Sequence, residues 1–198
     1  MDYNFQPKGL KSEYGWYSRG RLPHFDGGEI PQFITFRLHD SLPQEVLEKW
    51  RLEAETDADL RKRVEKYLDA GYGGSWLKHE NIATVVQNAL LFHDEKKYRL
   101  SAWVIMPNHG HLLATPKAGF SLGEIMHSIK SYTAHEANKL LDRKGAFWQH
   151  ESFDRYIRNQ KHFYSVIRYI ENNPVKAKLC NNPEDWPFSS ARFRVTEG

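Results

Sequence analysis

Cysteine is almost absent from this chain of 198 residues, because Cys180 is the only one. A disulfide within the chain is therefore excluded. No apolar run approaches the roughly 20 residues that a membrane-spanning helix needs, and the mean hydropathy is -0.70. The first residues also lack the basic start and apolar stretch of a secretory signal. These absences predict a cytoplasmic protein with no membrane partner.

What the chain does contain is typical of an ordinary globular protein. Apolar residues make up 40% of it and aromatic residues 14%, which excludes collagen-like, low-complexity and disordered classes. The mass of 23.2 kDa suits one domain with a real hydrophobic core. We therefore predict a single domain over residues 1–198.

The charge is weak in total but uneven along the chain. A formal net charge of +3 does not by itself indicate nucleic-acid binding. Residues 155–178, however, contain six basic side chains and only Glu171 as an acid. Aromatic residues lie among them, a mixture that suits a phosphate backbone with bases to stack on. A solvated helix face explains the charge alone equally well.

Hydrophobic periodicity predicts the first half of the domain. Residues 1–28 are interpreted as an irregular arm, and Ile30 to Leu38 is predicted to be a strand. A helical insertion follows over 42–94, opened by a capping box that begins at Ser41 and interrupted near Thr56. Its second half has apolar residues at helical spacing from Ile82 onward.

The second half predicts a hairpin followed by a helix, a strand and a helix. Residues 98–106 and 109–115 are apolar-rich runs separated by a two-residue turn. A capping box at Ser121 opens a helix to about Leu141, and 153–158 is a short strand. The last helix is predicted from Gln160 to Asn172, ended by Pro174, with a tail over 175–198.

This order of elements predicts the fold class. Apart from the insertion, it is strand, helix, strand, strand, helix, strand, helix, the split-βαβ or ferredoxin-like pattern. We expect an α+β fold with an antiparallel sheet, helices on one face, and an additional C-terminal helix. Many unrelated functions use this fold, so the function must come from the site.

The segment His109-Gly110-His111 contains the most informative pair of residues. Side chains alternate along a strand, so the two imidazoles point the same way, with Cα atoms roughly 6.6 Å apart. They can share one metal ion, since neutral imidazole is a common ligand. The pair alone is weak evidence, because most such pairs are incidental surface histidines. A site needs further ligands and a reacting group.

Longer motifs add a family resemblance. Residues 104–113, Val-Ile-Met-Pro-Asn-His-Gly-His-Leu-Leu, resemble the core of the HUH single-tyrosine transposases. Residues 167–179, Ile-Arg-Tyr-Ile-Glu-Asn-Asn-Pro-Val-Lys-Ala-Lys-Leu, resemble the REP-associated branch, which acts at repetitive extragenic palindromes. Residues 22–24, 147–149, 153–158 and 186–190 are similar to the same branch.

The resemblance implies a metal-dependent endonuclease and strand transferase. Such an enzyme cuts single-stranded DNA at hairpins through a 5′-phosphotyrosine. By position it implies Tyr169 as the nucleophile, with His109, His111 and Asn173 as metal ligands. The implied partner is single-stranded DNA with hairpins, the protein acting at the nucleoid as a monomer or a homodimer.

Residue spacing supports the choice of Tyr169. Residues four apart lie on one face of a helix, so Tyr169 and Asn173 can reach one site together. Tyr156 and Tyr132 remain rivals, and spacing leaves open whether Glu171 or Asp154 binds metal or takes the tyrosine proton. Imidazole and amide ligands with water suit Mg²⁺ or Mn²⁺.

A set of basic residues is predicted to bind DNA. Two groups contribute, one in the arm and one near the C-terminus: Arg19, Arg21, His24, Arg155, Arg158, Lys161, Arg168, Lys176 and Lys178. The alternative function is a non-catalytic nucleic-acid-binding module on the same fold, which would bind DNA whether or not a chelator is present.

Overall fold

The structure, a computed structural model, describes residues 15–18, 23–26, 29–150 and 152–194. Its strands are β1 Gly15–Ser18, β2 Pro23–Asp26, β3 Gln32–Arg37, β4 Tyr98–Ile105, β5 His109–Pro116 and β6 Phe153–Tyr156. Its α-helices are α1 Gln44–Glu53, α2 Asp57–Asp69, α3 Glu80–His93, α4 Leu122–Leu140, α5 Gln160–Lys176 and α6 Ala191–Arg194. Two short 3₁₀ helices span Trp76–Lys78 and Pro183–Asp185.

The main sheet confirms the predicted fold class. Its four strands are antiparallel and lie in the order β4-β5-β3-β6. Numbered among themselves, they have the 2-3-1-4 order of the ferredoxin-like, split-βαβ topology. The first and third of these strands, β3 and β5, lie at the centre. A side chain on either strand therefore has a neighbouring strand on each side.

The predicted irregular arm contains a second, two-stranded sheet. β1 pairs antiparallel with β2, so that Trp16 lies opposite Phe25 and Tyr17 opposite His24. The interpretation of 1–28 as wholly irregular is therefore wrong. Glycines and prolines dominated that interpretation, whereas the short runs between them contain aromatic residues that favour strands.

Helices cover both faces of the main sheet. Ile34 and Phe36 of β3 pack with α3 and α4 on one face. Phe33, from the same strand, packs with α5 residues such as Phe163 and Val166 on the other. A third apolar cluster joins α1 to α2. We call the Phe33 side the histidine face, because β5 places His109 and His111 on it.

The helix starts match two of the three sequence signals. Ser121 caps α4 by accepting a hydrogen bond from the Glu124 N–H at 3.2 Å, and Thr56 caps α2 where the break was predicted. The Ser41 box is wrong, since Ser41 Oγ donates to the Leu38 carbonyl instead, at 2.7 Å. The residue at the N-cap of α1 is Pro43, whose side chain accepts no hydrogen bond.

The predicted end of α5 is also wrong. The helix continues through Pro174 to Lys176. Proline inside a helix loses one backbone hydrogen bond and costs about 3 kcal/mol. Here Pro174 lies buried near the end of a helix that packs along β4, so packing offsets that loss. Asn173 thus belongs to the continuous helix instead of approaching the site from its terminus.

We predict that Gly110→Ala destabilises the fold. A Cβ at this position would lie 2.4 Å from Cζ of Phe36 on the face opposite the histidines, and overpacking of this kind costs about 1–3 kcal/mol. Denaturant unfolding measures the loss. Adding Phe36→Leu should recover part of it, because the clash disappears; simple additivity of the two changes would contradict the explanation.

Candidate metal centre and nucleophile

The two histidines meet at the centre of the sheet. Both are fully buried, and their registers place His109 opposite Arg37 and His111 opposite Thr35. Their Nε2 atoms lie 3.1 Å apart. The far nitrogens are also engaged, since Nδ1 of His109 lies 2.6 Å from Asn108 Oδ1 and Nδ1 of His111 lies 2.9 Å from Thr35 Oγ1. Each imidazole therefore directs Nε2 toward the same point.

Burial keeps both imidazoles neutral at pH 7. Desolvation lowers the pKa of His109 to about 4, although the Asp69 carboxylate acts in the opposite direction. Desolvation also lowers the pKa of His111 well below its usual value, and neighbouring His109 adds to the effect. A neutral imidazole with an available nitrogen is the form that binds a divalent metal.

Asp69 completes a three-residue cluster that could hold a metal ion. It is the last residue of α2, and its Oδ1 lies 3.7 Å from His109 Nε2. One ligand atom from each of Asp69, His109 and His111 lies within 4.8 Å of the others. The Asp69 carboxylate also pairs with Lys176, whose Nζ is 2.6 Å from Oδ2.

Sequence reasoning missed Asp69 because it treated 42–94 as an elaborate insertion. One signal was available: Glu65 and Asp69 are carboxylates four residues apart, at the end of an amphipathic helix and just before Gly71. Such spacing places both carboxylates on one helix face. Only the docking of α2 against β5 shows that this face meets the histidines.

α5 contributes Tyr169 and Asn173 to the same region. The Tyr169 ring lies 5.4 Å from the His111 ring and 5.9 Å from that of Phe33. Tyr169, Asn173 and Lys176 follow one another at i, i+4 and i+7, which forms one stripe along the helix. The first contacts His111 and the last bonds Asp69. Asn173, only 1% exposed, therefore lies between those contacts.

Several buried polar atoms in this region lack a hydrogen-bond partner. Asp69 Oδ1, Tyr169 Oη and both amide atoms of Asn173 find none among the described residues. Buried polar groups are nearly always satisfied. An unsatisfied carboxylate oxygen and an unsatisfied carboxamide beside two neutral imidazoles are the donor set that a divalent cation would bind, so the residues present fit a metal ion.

The surroundings of Tyr169 hold its hydroxyl protonated. Burial is the main cause that raises its pKa, and the Glu65 and Asp69 carboxylates add to it, while Arg155 acts the other way. Glu65 is near enough to act on the pKa of this hydroxyl, which makes no regular hydrogen bond with any described residue. Burial also raises the pKa of Glu65 itself, which makes its carboxylate a better proton acceptor.

The rival residues lie elsewhere. Strand alternation puts Tyr156 and Asp154 of β6 on the face opposite the histidines, since their β3 partners are Gln32 and Ile34. Tyr132 is 57% exposed on α4, across the sheet. Glu171 accepts hydrogen bonds from Ser190 and Arg194, so its role is to hold the C-terminal segment.

The structure brings some of the predicted DNA-binding residues close to Tyr169 and Phe33. The Arg155 guanidinium lies 4.7 Å from the Phe33 ring, and Lys176 Nζ lies 5.7 Å from the Tyr169 ring. Four further basic residues are exposed on or beside α5: Arg158, Lys161, Arg168 and Lys178. Arg19 and Arg21 lie outside the described residues, and His24 belongs to β2.

Comparison with known proteins establishes the family and the fold of this chain. The model of a family described as "Transposase IS200 like" matches residues 75–173, half of the chain. The chain belongs to this family. The matched range includes the histidine pair, Tyr169 and Asn173, whereas α2 with Glu65 and Asp69 precedes it.

Two relatives of this family member are similar to it over most of their length. A REP-associated tyrosine transposase of Escherichia coli K12 is 27% identical over 139 residues, which cover 64% of this chain and 81% of the relative. The solved structure of a REP-associated tyrosine transposase bound to a REP hairpin has a TM-score of 0.59 and 20% identity. The match covers 91% of this chain and 86% of the chain in that structure. That likeness confirms the fold.

None of the helices in the described part of the chain is long and apolar enough to span a membrane.

Buried His109 predicts loss of stability in acid. The unfolded histidine takes its proton near pH 6.5 and the folded one near pH 4. The unfolded state therefore binds more protons in this window, and stability falls as the pH falls through it, by about 3 kcal/mol for one such group. Urea unfolding with a chelator present should show a smaller loss for His109→Gln; an equal loss would contradict the assignment.

Proposed function

We propose that the protein is a metal-dependent endonuclease and strand transferase for single-stranded DNA that carries hairpins, acting through a 5′-phosphotyrosine on Tyr169. One observation carries the proposal. Side chains from α2, β5 and α5 converge on the same buried point and leave polar atoms without partners, beside the ring of a tyrosine. A purely structural core would satisfy those atoms or replace them with apolar ones.

The residues that would hold the metal are His109, His111 and Asn173, with Asp69 as a fourth, acidic ligand. Two nitrogens and two oxygens without a thiolate suit Mn²⁺ or Mg²⁺. A bound divalent ion would neutralise a non-bridging oxygen of the scissile phosphate and orient the phosphorus. Asp69 distinguishes this set from the three ligands that the sequence resemblance implies.

The reaction follows from the position of Tyr169. Its Oη attacks the phosphorus in line, so that the Oη–P bond forms and the bond from phosphorus to the 3′ oxygen breaks. The DNA then remains attached to the enzyme through its 5′ phosphate, and the released 3′ oxygen takes a proton from solvent. Attack by another 3′ hydroxyl reverses these steps and joins the strands.

Glu65 is the residue proposed to accept the proton of the Tyr169 hydroxyl. Tyrosine is mostly protonated at pH 7, and the burial described above disfavours its anion further. A carboxylate that already interacts with the hydroxyl can accept this proton as the Oη–P bond forms. Neither Glu171 nor Asp154, the two acids considered from the sequence, lies in a position for this step.

DNA would lie along the basic surface that surrounds Tyr169. Arg155 and Lys176 flank the tyrosine, and the exposed cations of α5 extend the positive surface along the helix. Phosphate contacts of this kind position a nucleic acid without reading its sequence. The relative bound to a REP hairpin supports a hairpin substrate. We also propose that Arg19, Arg21 and His24 of the arm contact this DNA. We propose that the protein acts as a monomer or a homodimer.

The first test of the proposal is the covalent adduct. With a hairpin-bearing oligonucleotide and Mn²⁺, the wild-type protein should give an SDS-resistant DNA–protein band. Tyr169→Phe should abolish the band because the nucleophilic oxygen is gone, while a gel-shift assay shows binding retained. Tyr156→Phe, on the other side of the sheet, is the matched control and should react normally.

Two outcomes of this experiment would contradict the proposal. An adduct that persists in Tyr169→Phe would place the nucleophile elsewhere. Tight DNA binding by the wild-type protein that never yields an adduct, with or without chelator, would favour the non-catalytic binding module instead.

Glu65→Gln tests the proton acceptor. Losing a general base lowers a rate by about 10²-fold or more, so single-turnover cleavage should slow by at least that factor, with less deficit at pH 9, where hydroxide can take the proton. Glu136→Gln, a half-buried carboxylate on α4, is the control. A wild-type rate for Glu65→Gln would remove Glu65 from the mechanism.

A further inference from the structure

We infer that Asn108 is a positioning residue of the metal centre, because its single amide fixes the tautomer of His109 and ties that histidine to the end of α2 that carries Asp69. The inference rests on the proposed function only in taking the cluster to bind a divalent metal. Asn108 is 1% exposed and lies in the turn between β4 and β5, directly before His109. It is not one of the proposed metal ligands.

The orientation of the Asn108 amide follows from its partners. Its Nδ2 atom lies 3.1 Å from the Leu68 carbonyl oxygen and 3.0 Å from that of Tyr72. Carbonyl oxygens only accept hydrogen bonds, so the nitrogen of the amide must face them and donate. The oxygen of the amide is then left for the other side, where His109 lies.

The protonation of His109 follows in turn. Asn108 Oδ1 lies 2.6 Å from His109 Nδ1, and an amide oxygen only accepts. His109 must therefore carry its proton on Nδ1, which leaves Nε2 with a lone pair. That nitrogen lies 3.1 Å from His111 Nε2 and 3.7 Å from the Asp69 carboxylate. Its lone pair is therefore free to bind the proposed ion among these groups.

His111 lacks such a fixed arrangement. Its Nδ1 contacts Thr35 Oγ1 at 2.9 Å, and a hydroxyl can either donate or accept. Thr35 therefore suits both tautomers of His111, whereas Asn108 accommodates only one tautomer of His109. The two residues support the two imidazoles in chemically different ways, so they provide a built-in comparison.

The same amide also holds α2 in place. Leu68 and Tyr72, whose carbonyls it binds, stand on either side of Asp69 in the chain. Removing the two donated hydrogen bonds would loosen the segment that brings Asp69 to His109. Partners of this kind around a metal site typically change its affinity by about 10- to 100-fold.

Three substitutions separate these roles. Asn108→Ala removes both, so Mn²⁺ binding should weaken by about 10- to 100-fold, and His109 should no longer hold a single tautomer. Asn108→Asp keeps an acceptor for His109 but loses the donor to the two carbonyls. It should retain the tautomer and still bind Mn²⁺ more weakly. Thr35→Val should change the balance of tautomers at His111 and leave the tautomer of His109 intact.

The measurements need neither DNA nor catalysis. Long-range ¹H–¹⁵N spectra of the histidine side chains, recorded without metal, report the tautomer of each ring, and calorimetric titration reports Mn²⁺ affinity. Thr133→Val serves as the stability control, because it removes a buried acceptor of a 2.9 Å hydrogen bond from Trp148 on the opposite face. It should destabilise the fold without changing Mn²⁺ affinity.

The possible results separate the inference from the proposed function. Unchanged Mn²⁺ affinity and an unchanged His109 tautomer in Asn108→Ala would overturn the inference alone. Wild-type protein that binds Mn²⁺ but forms no DNA adduct would overturn the proposed function alone, and failure of wild-type protein to bind Mn²⁺ would overturn both. Should Asn108→Ala not fold, Asn108→Asp decides, since retained affinity there would contradict the link to α2.

Discussion

The antiparallel pairing of β3 with β5 is the constraint on which the rest of the structure depends. It places His109 and His111 at the centre of the sheet, opposite Arg37 and Thr35, where neither ring contacts solvent. A slip of one residue in this register would turn both imidazoles to the opposite face, among the side chains of α3 and α4. Phe36 helps to hold the register, because its ring fills the space that Gly110 leaves on that face.

Burial of these polar groups has an energetic consequence for the whole histidine face. Each buried donor or acceptor needs a partner, and Asn108 and Thr35 provide one for each far nitrogen of the two rings. The Nε2 atoms of the two rings lie 3.1 Å apart, and that of His109 lies 3.7 Å from Asp69 Oδ1. A divalent cation among these groups would interact with them strongly, because water screens charges less in a buried site than at the surface.

Two helices that differ in role close this site. α5 packs its apolar stripe on β4 and β5 and presents Tyr169 and Asn173 at the edge of that stripe. α2 comes from a segment with its own small apolar cluster and reaches the site only by its last turns, where Glu65 and Asp69 lie. The Lys176–Asp69 pair joins the two helices directly, so Tyr169 and Asp69 belong to one connected arrangement.

The sequence by itself determined the order of the elements, the ferredoxin-like sheet, the shared direction of the two histidines and the shared face of Tyr169 and Asn173. All of these follow from periodicity and local spacing, which are properties of neighbours in the chain. Tertiary structure decided the rest. Burial of Pro174 extended α5, Pro43 displaced the expected cap at Ser41, and the docking of α2 supplied Glu65 and Asp69. The contacts that hold the end of α2 in place join residues 36 and 40 positions apart, and no local pattern encodes which distant surface a helix will meet.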